Sequence, residues 1–549
     1  MSQHRRRRPP ARKPRRGRVL AAGALAVTAG LGVALGVGAF DGDGSPAGPA
    51  RGAPEASAAS AASSSPASAS PTRAYPLSKA PRTIPAVRAH TAARGPGWRP
   101  ARGDRVVVTD PSLADEGRLT ASELGLTYAG ERTDARAGDV RLALADAGSG
   151  GPESYTLTVR GGAVTVSGPS DAGVFYGTRT LKQEVRGGGT APEGVVDDAP
   201  AKPRRGFLLD IARKPFTADW IEDRIRELGD LKYNELGLHF SDDQSFRVQS
   251  DTHPEIVSAE HLTKAQVKRI VDLAASRHIT VVPEIDSPGH LGAVIAAHPD
   301  LQLRDARGVA TKGAVDISKP ASARIVDDLL NEFAGVFPGG YWHLGGDEYQ
   351  ALTVRDPEAS YPRLAAAART AYGSGGTVAD LTTGWLNDRA ATVRAHERAP
   401  RAWNDGFFRD ASVRPGEDIE VAYWTGKEFG ARQPDAYLSA GRKVINYNDE
   451  FLYYVLGEPQ TFVYPTGRRI YEQWTPRVLR GTEAVPARYD AQILGGSFAV
   501  WCDLAHSQTQ DQVAAGIRMP LRATAQKLWD SRKPALSWPD FETLANHVS

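Results

Sequence analysis

From Arg205 onward the chain carries eight short β-like runs separated by helical or loop segments, at residues 206–212, 235–240, 280–286, 341–347, 399–404, 420–424, 443–448 and 493–501. Strands that alternate with helical segments pair in parallel, because each crossover returns the chain to the same end of the sheet, and eight such units close on themselves. The pattern predicts an α/β chain with a (β/α)8 catalytic barrel over residues 201–549, finished by a C-terminal helix. Side chains that carry chemistry are then expected at the C-terminal ends of the strands, where the loops open.

Upstream the pattern changes. Arg105–Thr109, Val140–Leu144, Tyr155–Val159 and Ala163–Ser167 read as strands and Gly173–Val185 as a helix, which predicts a small auxiliary α+β domain over residues 101–200. It carries no catalytic constellation and is expected to brace the barrel. Residues 41–100 are dominated by Ala, Ser, Pro, Gly and Arg without hydrophobic periodicity, the composition of a disordered linker. Residues 1–18 hold nine Lys or Arg and are followed by an uncharged run from Val19 to Phe40. Residues 1–40 thus read as a signal peptide or a membrane anchor, and a secreted or extracellular location is expected, attached to the cell membrane if residues 19–40 stay uncleaved.

The formal charge of +3 becomes −6 once those nine cations are set aside. A slightly acidic body without basic clusters excludes nucleic acid as the expected partner. Cys502 is the single cysteine, so no intramolecular disulfide can form, and it is expected to be a small buried residue.

The fourth run, Tyr341-Trp342-His343-Leu344-Gly345-Gly346-Asp347-Glu348, ends in two glycines and two adjacent carboxylates. Such a pair can divide acid chemistry from electrostatic stabilisation if burial keeps one protonated and hydrogen-bond donors keep the other ionised. His343-x-Gly345-Gly346-Asp347-Glu348 resembles the signature of glycoside hydrolase family 20, the β-N-acetylhexosaminidases, in which a TIM barrel follows an auxiliary domain. Tyr155–Val159 and Ala172–Leu181 resemble parts of that auxiliary domain, and the resemblance spans about residues 105 to 535.

The resemblance implies roles residue by residue. Arg213, in Asp210-Ile211-Ala212-Arg213, would grip sugar hydroxyls. Asp242 and His290 would form a hydrogen-bonded relay behind the catalytic acid. Trp403, Trp424 and Trp501 would enclose the N-acetyl group, and Tyr453 would hold its carbonyl. Trp474 is a weaker candidate for the leaving-group side. Two departures stand out: Val455 occupies a position where many members carry an Asp, and Trp501-Cys502-Asp503 replaces Trp-x-Glu, leaving Asp503 to accept from a C4 or C6 hydroxyl. No metal is expected, because His290, His343, Asp286, Asp347 and Glu348 show neither His-x-His nor His-Glu-x-x-His spacing, and no organic cofactor is implied.

The activity implied is a retaining hydrolysis in which the substrate's acetamido oxygen is the nucleophile. Glu348 would donate a proton to the glycosidic oxygen and Asp347 would orient the acetamide, so the expected partner is an N-acetylhexosamine-containing oligosaccharide or glycoconjugate, chitin fragments included. Two alternatives stand beside release of terminal GlcNAc or GalNAc. One is release of a disaccharide by a lacto-N-biosidase-like member, which Val455 and Asp503 favour. The other is a non-catalytic glycan-binding barrel, which the Asp242–His290 relay disfavours.

Overall fold

The computed structural model describes residues 74–548 except Thr133, 147–149, Arg409 and 428–430, so the basic head, the apolar run 19–40 and the linker up to residue 73 lie outside the described residues. Eight barrel strands occupy Arg204–Asp210, Glu235–His239, Thr280–Glu284, Tyr341–His343, Ala399–Trp403, Glu420–Tyr423, Val444–Asn446 and Ile493–Trp501. All neighbours pair in parallel, and the eighth strand bonds to the first and the seventh, which closes the ring. These strands read as nearly unbroken apolar runs because both faces are covered, by barrel side chains within and helices outside; Phe207, Leu208 and Leu209 are all buried.

The N-terminal mouth of the barrel is plugged by charge. Arg401 lies 3.1 Å from both Glu235 and Glu420, and Arg204 sits 3.3 Å from Glu235 and 3.8 Å from the centre of the Tyr341 ring. Helices 218–230, 264–275, 320–334 and 378–395 follow the first four strands. Thr217, Thr263, Thr377 and Thr509 cap their helices by accepting the N–H three residues on, each contributing about 1 kcal/mol. The fifth connection departs from a regular barrel: among the described residues only the turn Asn404–Gly406 lies between strands five and six. Asn, Asp and Gly there favour a turn over a helix start.

The small domain is a seven-stranded sheet in the spatial order 89–92, 194–198, 155–160, 163–168, 140–144, 105–108 and 127–131. Ala89–Ala92 corrects the linker expectation for residues 74–100, since it pairs antiparallel with Gly194–Asp198 at the sheet's edge. Backbone pairing is its main tie. Its side chains are mostly exposed on both faces, so no apolar alternation marks it in the sequence. Helix Asp171–Gly188 is buried nearly all round from Gly173 to Glu184. One side packs on the sheet and the other meets the barrel, where Lys182 lies 2.7 Å from Asp230 and 2.9 Å from Glu123. Lys232 of the barrel is fully buried in this interface, donating to Tyr155 Oη and Thr180 Oγ1, and burial pushes its pKa down to about 8.

Candidate active site

The fourth strand ends at His343, its bonds to strand five run on through the Leu344 N–H and the Gly345 carbonyl, and the chain turns away where Gly345 and Gly346 take φ of 65° and 98°. A Cβ at Gly345 would stand 1.8 Å from Asp286 Oδ1, so only glycine lets the backbone pass this carboxylate. Asp286 Oδ1 in turn accepts the Gly346 N–H at 2.7 Å. The chain then turns Asp347 inward and holds Glu348 at φ 50°, a left-handed conformation costly for a side chain with a Cβ and characteristic of functional sites. The Glu348 N–H donates to Asp405 Oδ2 at 2.9 Å, and Asp405 Oδ1 accepts from Trp424 Nε1 at 3.0 Å.

His290, from the loop after strand three, stands beside both carboxylates. Its Nε2 lies 3.4 Å from Glu348 Oε2 and 3.6 Å from Asp347 Oδ2, and its Nδ1 lies 3.4 Å from Asp242 Oδ1. Asp242 Oδ2 is shared by His239 Nε2 at 2.8 Å and Arg213 Nη2 at 2.7 Å. Asp210 fixes Arg213 through its backbone N–H at 2.9 Å and its guanidinium at 3.0 Å, and also accepts the Cys502 N–H from strand eight. Cys502 itself is fully buried. The expected Asp242–His290 pair is thus assembled, with Arg213 bound to the same carboxylate.

Below this pair the chain of polar groups continues into the barrel. His239 Nδ1 and His343 Nδ1 both lie 3.4 Å from Glu284 Oε1, which accepts from Trp403 Nε1 at 2.7 Å. His239 is raised to about 10: burial opposes its charge, but Glu284 and Asp242 outweigh it. His343 is lowered to about 4, chiefly by burial, and its Nδ1 accepts the Gly345 N–H. Asp286, Asp405, His239 and Glu284 were not singled out for this role from the sequence. Asp286 and Glu284 sit at the end of strand three and Asp405 directly after strand five, the location where such residues are expected.

Without substrate the two carboxyls are ordered the opposite way from the acid and stabiliser roles expected of them. Burial, reinforced by Asp286, pushes Asp347 well above the carboxylate range, whereas the hydrogen bond from His290 holds Glu348 below it. The reason is placement: the Asp347 side chain is 15% exposed and Glu348 55%. Asp286 is raised to about 7 by burial and hydrogen-bonds Asp347, so a proton shared between these two carboxyls relieves their repulsion. His290 stays charged because the single negative charge left on the Asp347–Asp286 pair, together with Asp242 and Glu348, outweighs the cost of burying it. Asp286, His290 and Asp347 bring ligand atoms within 4.8 Å of one another.

The aromatic residues form a wall over this floor. Trp424 stacks on Tyr453 with ring centres 5.9 Å apart and planes 6° from parallel, and Trp501 meets Tyr453 at 5.8 Å and Trp403 at 5.9 Å. Tyr453 and Val455 share one face of a short strand paired to Trp501, so the apolar Val455 belongs to this cluster. Burial and the nearby Asp347 raise the Tyr453 hydroxyl well above its ordinary range and keep it a donor. Asp503 is exposed at the mouth, within the field of Arg213.

Trp474 corrects the last expectation. It is fully buried in the packing core against Gly496, with no ring face open to a ligand. Asn446 draws that segment inward by donating to the carbonyls of Pro476 and Val478. On the other side of Glu348 a cleft of about 550 Å³ is lined in part by Lys312, Phe407, Arg432 and Tyr437.

A closed parallel barrel with adjacent carboxylates, a histidine held by carboxylates and an aromatic wall at its C-terminal mouth has the architecture of a glycosidase barrel. Residues 203–532 match glycosyl hydrolase family 20, catalytic domain, and residues 80–199 match glycosyl hydrolase family 20, domain 2. The chain belongs to glycosyl hydrolase family 20. It is 30% identical over 470 residues to the lacto-N-biosidase of Bifidobacterium bifidum, covering 84% of this chain and 41% of that protein. It is 34% identical over 270 residues to the β-N-acetylhexosaminidase of Cellulomonas fimi, covering 44% of this chain and 54% of that protein. The chain therefore spans about half or less of the length of these curated relatives. Among solved structures, the family 20 β-N-acetylhexosaminidase of Streptomyces coelicolor superposes with a TM-score of 0.68 at 25% identity, over 85% of this chain and 95% of that one. A mutant Streptomyces plicatus β-hexosaminidase in complex with its product GlcNAc superposes with a TM-score of 0.67 at 25% identity, over 86% and 95%.

Proposed function

We propose that the chain is a retaining exo-β-N-acetylhexosaminidase that releases terminal β-linked GlcNAc or GalNAc, with the substrate's acetamido oxygen as nucleophile. The observation that carries this reading is His290 Nε2 lying 3.4 Å from Glu348 and 3.6 Å from Asp347 at the foot of the aromatic wall. A sugar ring seated on Trp501 and Trp424 covers Glu348, and loss of water favours its neutral form. His290 is the charged neighbour that supplies the proton. The acetamide N–H, donating to Asp347, favours the ionised form of that group and leaves the shared proton on Asp286, so substrate binding reverses the resting order of Asp347 and Glu348.

Glu348 then protonates the leaving oxygen while the acetamido oxygen attacks the anomeric carbon. An oxazolinium intermediate forms, with Asp347 balancing the charge on its nitrogen and Tyr453 donating to the attacking oxygen. Water, deprotonated by Glu348, opens it with net retention. Holding an internal nucleophile in line contributes up to roughly 7–11 kcal/mol in favourable cases. A β-glucoside lacking the acetamido group is expected to be cleaved far more slowly than its N-acetyl counterpart; equal rates would refute substrate assistance.

A second reading is release of a disaccharide, as the name of the Bifidobacterium bifidum relative describes for that protein. Val455 supports it, because an apolar floor cannot fix a terminal hydroxyl, and the cleft beside Glu348 offers room for a further sugar. Hydrolysis of paired chromogenic β-glycosides of GlcNAc and lacto-N-biose separates these cases. Binding of both without release would favour a glycan-binding barrel, against which the Asp242–His290 pair counts. We further propose that the protein acts outside the cytoplasm, on the strength of its basic head and the apolar run 19–40; no helix among the described residues is long and apolar enough to cross a membrane.

A further inference from the structure

Outside the catalytic mouth, two segments of the barrel bring together two histidines and a carboxylate. His253 and Glu255 lie in the loop after strand two, and His298 ends helix Gly292–Ala297 in the connection after strand three. Glu255 Oε1 lies 2.8 Å from His298 Nε2 and 3.0 Å from His253 Nδ1, and one ligand atom from each residue falls within 4.8 Å of the others. Zinc–nitrogen and zinc–carboxylate bonds of about 2.0–2.2 Å place tetrahedral ligand atoms a little over 3 Å apart, so both contacts of Glu255 lie within about half an ångström of that spacing.

The surroundings are those of a held site. His253 turns its other nitrogen, Nε2, to Asp328 Oδ2 at 3.3 Å, on helix Pro320–Ala334. A carboxylate on the far nitrogen is the partner that orients a metal-bound imidazole and raises its basicity. The loop is also fixed from below, since Glu332 accepts from Ser250 Oγ and the Asp251 N–H at 2.6 Å each, and Ser250 Oγ accepts the His253 N–H at 3.0 Å. His298 and Glu255 remain 32% and 42% exposed, which gives an ion entry and a water as fourth ligand.

We propose that His253, Glu255 and His298 form a divalent zinc site, with Asp328 orienting His253. Two imidazoles and one carboxylate suit a borderline metal and not the hard, all-oxygen preference of Mg²⁺ or Ca²⁺. The ion would tie the loop that begins with Asp242 to the next connection of the barrel, acting on stability and leaving the catalytic groups in place.

The test is calorimetric titration of the untagged, chelator-treated full chain with ZnCl2. One equivalent is expected to bind in excess Mg²⁺, to raise Tm, and to be lost in both His298→Ala and His253→Ala. Asp328→Asn, which keeps every ligand, is expected to bind about 10–100-fold more weakly. Asp347→Asn, at the catalytic cluster, is expected to keep the equivalent. Absence of binding by the parent chain, or an equivalent lost with Asp347→Asn and kept with His298→Ala, would overturn the proposal. If either histidine variant fails to fold, the affinity of Asp328→Asn decides, an unchanged value counting against the site.

Discussion

The N–H of Glu348 donates to Oδ2 of Asp405 across 2.9 Å, and so the end of strand four is tied to the start of the fifth connection. Glu348 could not otherwise rest at a positive φ at low cost, because nothing in its own side chain favours that conformation. The same Asp405 holds Trp424 by its indole N–H. One half-buried carboxylate thus positions both the proposed acid and part of the sugar wall.

Asp405→Ala should therefore lower kcat by about 10²-fold, the effect of a displacement of roughly 1 Å at a reacting group. Asp405→Asn, which retains one acceptor oxygen, should lose less. Steady-state kinetics on a chromogenic N-acetylhexosaminide check this, and equal activity of Asp405→Ala and the parent would remove Asp405 from the positioning scheme.

Glu348→Gln and Asp347→Asn should fail in different ways. Loss of the acid should cost about 10²–10⁴-fold on substrates with poor leaving groups and little on an activated aryl glycoside. Loss of the Asp347 charge should slow both substrates alike, because the acetamide must be oriented in each. A leaving-group series measures the contrast.

Asp242→Asn removes one of the negative charges that keep His290 protonated against burial. The imidazolium then deprotonates at lower pH, so the alkaline limb of the kcat/KM profile should move downward by about 1–3 pH units. Arg213 loses one of its two carboxylate partners and keeps Asp210, so KM should rise. An unmoved alkaline limb would mean that His290 does not supply the proton.

Glu123 sits where the small domain meets the barrel, bonded to Arg179, Lys182 and Arg277, and the cations hold its pKa at about 2 although burial acts the other way. A depressed carboxylate adds stability above its unfolded pKa and loses it as pH falls through the folded value. Glu123→Gln should destabilise the chain by about 3–5 kcal/mol at neutral pH, the cost of breaking a buried ion pair. The difference in Tm from the parent should shrink as pH falls from about 4.5 toward about 2. A difference independent of pH would show that packing, not charge, carries the effect.

Most of the barrel was legible because its strands announce themselves locally: runs such as Gly206–Asp210 and Val281–Glu284 are apolar on both faces and bounded by helix caps. The fifth connection was not, since the number of units does not reveal whether each crossover completes a helix. Ala89–Ala92 escaped notice because an exposed edge strand has no apolar face to leave a pattern. At the site, strand ends mark the candidate residues, whereas Trp474 is not legible, because a tryptophan after a strand has the same local appearance whether it faces a sugar or the core.

By itself, then, the sequence determined the number and order of the barrel strands, the small domain before them, and the Asp347-Glu348 pair at the end of the fourth. These depend on spacing and side-chain type within short windows. The tertiary structure decided which carboxyl is protonated at rest, through His290 and Asp286 from another strand's end, and it brought His253, Glu255 and His298 together around one point. Burial and electrostatic neighbours are set by residues far away along the chain, and only the closed barrel brings them within a few ångströms.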